Sequence, residues 1–200
     1  MHITSGPTHT VPANQLLLYP ADPDFIPLDA TALCTYLQDI GLAGTAFEHR
    51  GDIRYLAGDR FLQLITFLGC SPAIEFVPPQ DTAERDTATD SGAFCHIRLS
   101  LSAGKPVFRA NRQLPPPRCP ACRKPAADWQ ESRRDNQWTC RQCGFDGRVY
   151  DLDFRRHGGF ARTFVEIWGI YPSEAVPVDA LMDALKTFSG CDWKYIYVCD

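Results

Sequence analysis

Two CxxC pairs, Cys119-Pro120-Ala121-Cys122 and Cys140-Arg141-Gln142-Cys143, stand 17 residues apart. No other feature of the chain limits its folding as sharply. A CxxC turn brings two sulfurs to one point and aims backbone N–H groups at them. Two such turns fill the four corners of a tetrahedral thiolate shell, a geometry that suits Zn²⁺. The interval also fits the roughly 15–20 residues usual between CxxC pairs of zinc sites. Cys119, Cys122, Cys140 and Cys143 are therefore the expected ligands of one structural Zn²⁺. Iron is the alternative ion for a shell of four sulfurs.

Residues 119–144 resemble a zinc ribbon. The resemblance covers about an eighth of the chain. It implies a ribbon fold with four thiolate ligands and leaves the host domain unnamed. Within it, residues 129–131 and 137–139 are expected to pair across a turn near residues 133–136. Trp129 and Trp138 are placed to cover the sulfurs, and Gly144 permits a tight exit from the second turn.

Charge is distributed unevenly. Residues 105–148 hold ten basic side chains against four acidic ones, in a chain whose net charge is −4. A zinc ion with four thiolates lowers the local balance but leaves it positive. The total excludes a globally basic nucleic-acid binder and leaves a local patch. Arg118, Arg123, Lys124, Arg133, Arg134 and Arg141 suit phosphate contacts, and Trp129 and Trp138 would stack bases if exposed. The opposing reading is a solvated lobe whose tryptophans pack on the metal turns and whose arginines pair with acids.

The 44% hydrophobic content of the 200 residues supports a real core. No apolar run reaches a membrane span. Residues 1–14 read as a flexible lead-in with no signal-peptide pattern. Five further cysteines, Cys34, Cys70, Cys95, Cys191 and Cys199, are scattered, and the odd total argues against a disulfide framework. The expected setting is the cytoplasm.

The pattern predicts an α+β fold: a mixed or antiparallel sheet, about three helices and an inserted zinc ribbon. Residues 15–104 form the first half of the host, 105–148 the insert and 149–200 the second half. Residues 15–19 read as a strand, and residues 29–40 as a helix capped by Asp29 with Leu33, Leu37 and Ile40 on one face. Residues 42–48 and 52–57 read as a hairpin around Arg50-Gly51. Residues 59–68 fit either a buried helix or a buried strand. Residues 78–92 read as a loop. Residues 93–101 alternate as a strand with Cys95, Ile97, Leu99 and Leu101 toward the core, and 107–109 continue the sheet. Residues 149–154 and 160–168 read as strands, 179–188 as a helix and 193–198 as a closing strand. Tyr19-Pro20 with Ile26-Pro27-Leu28-Asp29-Ala30 echoes Tyr171-Pro172 with Val176-Pro177-Val178-Asp179-Ala180. The echo suggests a duplicated β-α-β unit, which would allow a site where the halves meet; the alternative is two ordinary helix starts, each with proline shortly before an aspartate cap.

Catalytic signals are sparse. The sequence holds no nucleophile elbow, P-loop, dinucleotide fingerprint or HExxH. Cys70 with His49 or His96 is the only thiol–imidazole candidate, and a structural Cys70 is the preferred reading. His96 reads as a surface or hydrogen-bonded histidine. Arg155-Arg156-His157-Gly158-Gly159 reads as a turn in preference to an anion-binding nest. Glu166 and Asp179 read as strand-edge and helix-cap residues, and His2 and His9 as adventitious. The expected function is a non-enzymatic, zinc-binding adaptor presenting a basic lobe to a protein or nucleic acid. The alternative is an enzyme or maturation factor with a pocket between the duplicated units and the ribbon as clamp.

Overall fold

The computed structural model describes residues 14–68, 74–133 and 136–199. Residues 1–13 of the expected lead-in, with His2 and His9, lie outside the described residues, as do Cys70 and Arg134. The elements in chain order are β1 (Asn14–Pro20), α1 (Ala30–Asp39), β2 (Ala43–His49), β3 (Asp52–Ala57), α2 (Phe61–Leu64), β4 (Ile65–Phe67), α3 (Thr82–Ser91), β5 (His96–Leu101), β6 (Val107–Ala110), β7 (Trp138–Thr139), β8 (Asp146–Gly147), β9 (Gly158–Ala161), β10 (Thr163–Trp168), β11 (Ala175–Pro177), α4 (Asp179–Ser189) and β12 (Trp193–Cys199). The fold is α+β. Its main sheet is antiparallel, six strands in the order β12-β1-β10-β5-β3-β2.

Strand alternation decides what each face buries. Leu16, Ile167, Ile97 and Tyr55 are register partners across four strands, and Leu18, Val165 and Leu99 form the next row. This face packs against Leu33 and Leu37 of α1 and Leu181 and Leu185 of α4, each pair four residues apart on one helical face. Asp29 caps α1 by accepting from the Thr31 N–H. The Tyr36 hydroxyl donates to the Ala184 carbonyl and ties the two helices together. The central strands β12-β1-β10-β5, with α1 and α4 on one face, have the split β-α-β (ferredoxin-like) arrangement. The two echoed segments open these neighbouring helices. Their return strands differ, because α1 leads to β2 at one sheet edge and α4 to β12 at the other.

Three expectations are corrected and one open choice is resolved. Residues 78–92 are not a loop throughout, because α3 occupies Thr82–Ser91. Asp81 caps it through the Ala83 and Glu84 N–H groups, and Gly92, at φ 64°, closes it. The helix is polar, so its apolar period is weak. It is anchored by buried Thr89 and by His49, whose ring nitrogens meet Asp86 at 3.2 Å and Asp90 at 2.8 Å. Residues 149–154 are not a strand. A 3₁₀ turn spans Val149–Asp151, and Val149, Leu152 and Phe154 join the apolar cluster around the cysteines. β6 leaves the main sheet and pairs with β9 in a ribbon of two strands. Residues 59–68 divide into one helical turn, α2, followed by β4 paired with β11.

The reverse face of the sheet is mixed. Leu17, Tyr19, Phe164, Ile196 and Val198 pack there against Ala161 of β9. Glu166, Arg98 and Arg54 continue the same face across β10, β5 and β3. Since β5 and β10 are neighbours, the lobe between them occupies the place of a hairpin connection. Its neck is closed by β6–β9 and by the Asn111 N–H donating to the His157 carbonyl.

The cap on α3 can be tested directly. Asp81→Ala should cost about 1 kcal/mol of local stability, the usual loss for an N-cap aspartate. Hydrogen exchange should show faster opening confined to residues 82–91. A silent substitution would mean that this segment is not helical in solution.

Candidate metal centre

The two cysteine turns are built alike. In the first, the Arg123 N–H donates to the Cys119 carbonyl at 3.0 Å and the Cys119 N–H to the Lys124 carbonyl at 2.9 Å. In the second, the Gly144 N–H donates to the Cys140 carbonyl at 2.9 Å and the Cys140 N–H to the Phe145 carbonyl at 2.7 Å. The residue after each second cysteine takes positive φ, 62° at Arg123 and 71° at Gly144. N–H groups of Gln142 and Cys143 point at the Cys140 sulfur, and that of Phe145 at Cys143.

The four sulfurs converge within 4.8 Å of one another. Cys119 and Cys143 Sγ are 3.8 Å apart, and Cys122 and Cys140 Sγ are 3.7 Å apart. A tetrahedron with metal–sulfur bonds near 2.3 Å has edges of about 3.8 Å. A disulfide would bring two sulfurs to about 2.05 Å. The donor set therefore fits a four-coordinate, sulfur-preferring cation, and the cysteines supply every corner. Cys119 and Cys140 are buried, while Cys143 is exposed, so the centre lies at the lobe surface with an apolar backing.

That backing is aromatic. Trp129, Trp138, Val149, Leu152, Phe154 and Phe160 cluster with Cys119 and Cys140. Asp128 accepts from Trp138 Nε1 at 3.2 Å and from Arg141 Nε at 2.7 Å, giving the buried indole its hydrogen-bond partner. Asp128 was not singled out in the sequence; an acid ten residues before a tryptophan is no signal. The expected hairpin is also corrected. β7 pairs with β8 across the second cysteine turn, and Trp129 precedes a 3₁₀ turn over Glu131–Arg133.

Trp129 and Trp138 are only 3% and 4% exposed. The condition for base stacking is not met, because their faces are used inside the lobe. Arg133 lies over Phe108 and Trp129, 5.1 Å and 5.6 Å from the ring centres. Arg123 pairs with Asp153 and Arg141 with Asp128. Arg118 and Lys124 are exposed and make no ion pair among the described residues.

The histidine candidates are engaged elsewhere. His96 is not at the surface. It is fully buried, accepting from Arg54 at Nε2 (2.7 Å) and bonding the Phe94 carbonyl through Nδ1 (3.1 Å). This assignment makes it neutral. Burial, reinforced by the Arg54 charge, pushes its pKa down to about 3. Glu166 is not at a strand edge either. It is buried in β10, accepting from Trp168 Nε1 at 3.1 Å and from Arg109 at 3.4 Å. Asp179 is the first residue of α4, not its cap, which is Val178.

Beside the lobe lies a cleft of about 830 Å³ between residues 150–160, the end of β1 and the starts of α4 and β12. Arg155 and Arg156 lie on its wall at φ 51° and 63°. The His157 N–H donates to the Phe154 carbonyl at 2.9 Å. The segment is thus a tight turn with both central residues left-handed, the conformation that favours Asn-Gly. Each arginine there costs roughly 1–2 kcal/mol of backbone strain. The sequence marked the turn but not its handedness.

No protein-family model, curated protein or solved structure matches the chain. No described helix is long and apolar enough to cross a membrane.

Two measurements follow from this geometry. A Cβ added at Gly144 meets no atom within 4 Å, so Gly144→Ala tests backbone handedness alone. It should destabilise the lobe by about 1 kcal/mol in denaturant titrations. For His96, the unfolded chain binds the proton in the window from about pH 6.5 down to about 3 and the folded chain does not. Stability from this group is complete above pH 6.5 and falls with acidification, by about 1.4 kcal/mol per pH unit within that window. Urea unfolding between pH 7 and pH 5 should show this slope, and His96→Gln should flatten it.

Proposed function

We propose that this chain is a non-enzymatic adaptor whose metal is a structural Zn²⁺ held by Cys119, Cys122, Cys140 and Cys143. The observation that carries the reading is the convergence of four cysteine sulfurs, two pairs of them at the edge length of a tetrahedral zinc–thiolate shell, with no corner left for water. Zinc would neutralise the thiolates and cross-link the two turns. The aromatic cluster behind Cys119 and Cys140 then holds a rigid lobe. That lobe presents Arg118, Arg123 and Lys124 around the first turn, all exposed.

The partner is anionic, an acidic protein surface or an RNA backbone. Because Trp129 and Trp138 are buried, the contact would run through charge and arginine hydrogen bonding without base stacking. The engagement of His49 with Asp86 and Asp90, and of His96 with Arg54, supports a non-catalytic reading over the thiol–imidazole alternative.

Elemental analysis of freshly purified protein should give one zinc per chain, whereas a red, iron-containing preparation would reject zinc. Cys119→Ser removes one of four ligands and should withdraw a large part of the metal-binding free energy, which is on the order of 10 kcal/mol for a complete structural zinc site. Fluorescence of Trp129 and Trp138 should then shift to the red, and unchanged emission and melting would contradict a structural role. The partner is tested separately, by retention on RNA and on an acidic peptide at low and high salt. Arg118→Glu with Lys124→Glu should abolish retention; binding that ignores both salt and charge reversal would exclude the basic face.

A further inference from the structure

The cleft between the cysteine lobe and the sheet carries features that an adaptor does not need. We propose that it binds an organic phosphate with a flat aromatic body, the chemical class that includes nucleotides. Its volume, about 830 Å³, is within the range of small-ligand sites.

The first support is the turn at Phe154–His157. Arginine occupies both left-handed positions where Asn-Gly would sit without strain. Strained residues persist where function needs their side chains. Arg155 donates to the Pro116 carbonyl at 3.3 Å, and Arg156 to the Tyr195 hydroxyl at 2.9 Å while lying over its ring. A guanidinium has five N–H donors, so each arginine retains donors for a ligand.

Tyr19 is the second support. It is 7% exposed and lines the cleft, yet its hydroxyl has no hydrogen-bond partner among the described residues. Burial, with Asp153 nearby, pushes its pKa up to about 12, which keeps it a neutral donor. Gly159 admits the phenol, since a Cβ there would lie 2.5 Å from the hydroxyl oxygen. Lys194 is the register partner of Tyr19 on β12 and lines the same cleft. A hydroxyl that opens on the cleft, with no protein partner among the described residues, beside a lysine and two arginines is a donor set for an oxyanion.

Two further features agree. α4 opens on the cleft and has no side-chain cap; the N–H groups of Val178, Leu181 and Met182 are taken by backbone carbonyls, and those of Asp179 and Ala180 have no acceptor among the described residues. Of the two acids in the lining, Asp153 is engaged by Arg123 and by the Arg155 N–H. Asp179 is the other, and it leaves the cationic side chains in excess. Tyr150, Phe154, Phe160 and Trp193 supply an apolar wall for the flat body.

Calorimetric titration of the metal-loaded full chain with AMP, GMP, CMP, UMP, phenyl phosphate and inorganic phosphate tests the assignment. Aromatic phosphates should bind at least about tenfold more tightly than inorganic phosphate. Binding of nucleotides but not phenyl phosphate would identify a nucleotide site, and the reverse a site for simpler aryl phosphates. Arg155→Asn with Arg156→Gly should raise the melting temperature, by relieving the turn, while weakening binding at least about tenfold. Tyr19→Phe should leave the unliganded protein as stable or more so, and also weaken binding. Absence of binding at about 1 mM, equal affinity for phenyl and inorganic phosphate, or unchanged affinity in both variants would overturn the proposal.

Discussion

Four sulfurs brought to one point govern the arrangement of a quarter of this molecule. Mutual repulsion would drive four thiolates at this separation apart unless a cation or protons compensate them. The geometry is set by two near-identical turns, each needing a left-handed residue after its second cysteine. Once Cys119 and Cys140 face inward, Trp129, Phe154 and Phe160 have a surface to close against. Phe108 of β6 joins them, and through β9 the lobe meets the reverse face of the sheet. The cysteine turns, the aromatic cluster and the neck thus form one continuous stack.

The sheet explains why the lobe can exist where it does. β5 and β10 are adjacent and antiparallel, so a short hairpin would suffice to connect them. Lengthening such a connection costs little closure entropy, provided the added segment organises itself. The lobe does so with its own apolar cluster and returns its ends together through β6–β9. This position also sets residues 150–160 over the end of β1 and makes the cleft. The other half of the reverse face is polar. Arg98 and Arg109 reach buried Glu166, and burial together with the Arg54 charge keeps His96 neutral. The Nε atoms of Arg54 and Arg109 are buried without a partner among the described residues, which costs this cluster stability.

Legibility in the sequence followed periodicity. Leu33 and Leu37, Leu181 and Leu185, and the alternation from Cys95 to Leu99 each bury one face, and all three segments were readable. α3 was not, because nearly all its side chains meet solvent and its only strong mark is the Asp81 cap. Residues 149–154 alternate like a strand, yet Val149, Leu152 and Phe154 are spaced to meet a cluster assembled from distant residues. His96 sits on the less apolar face of β5, but that face is covered, so polarity misread its burial.

By itself the sequence determined the local chemistry: which cysteines can share an ion, which helices carry an apolar stripe, and where Asp29 and Gly144 start or turn the chain. Those properties depend on residues a few positions apart. The tertiary structure alone decided that Trp129 and Trp138 face inward, that Glu166 and His96 are buried, and that Tyr19, Arg156 and Lys194 share one cleft. Burial and convergence depend on which surfaces cover one another. That is fixed by strand order and by the return of a long connection, and neither leaves a mark in the spacing of neighbouring residues.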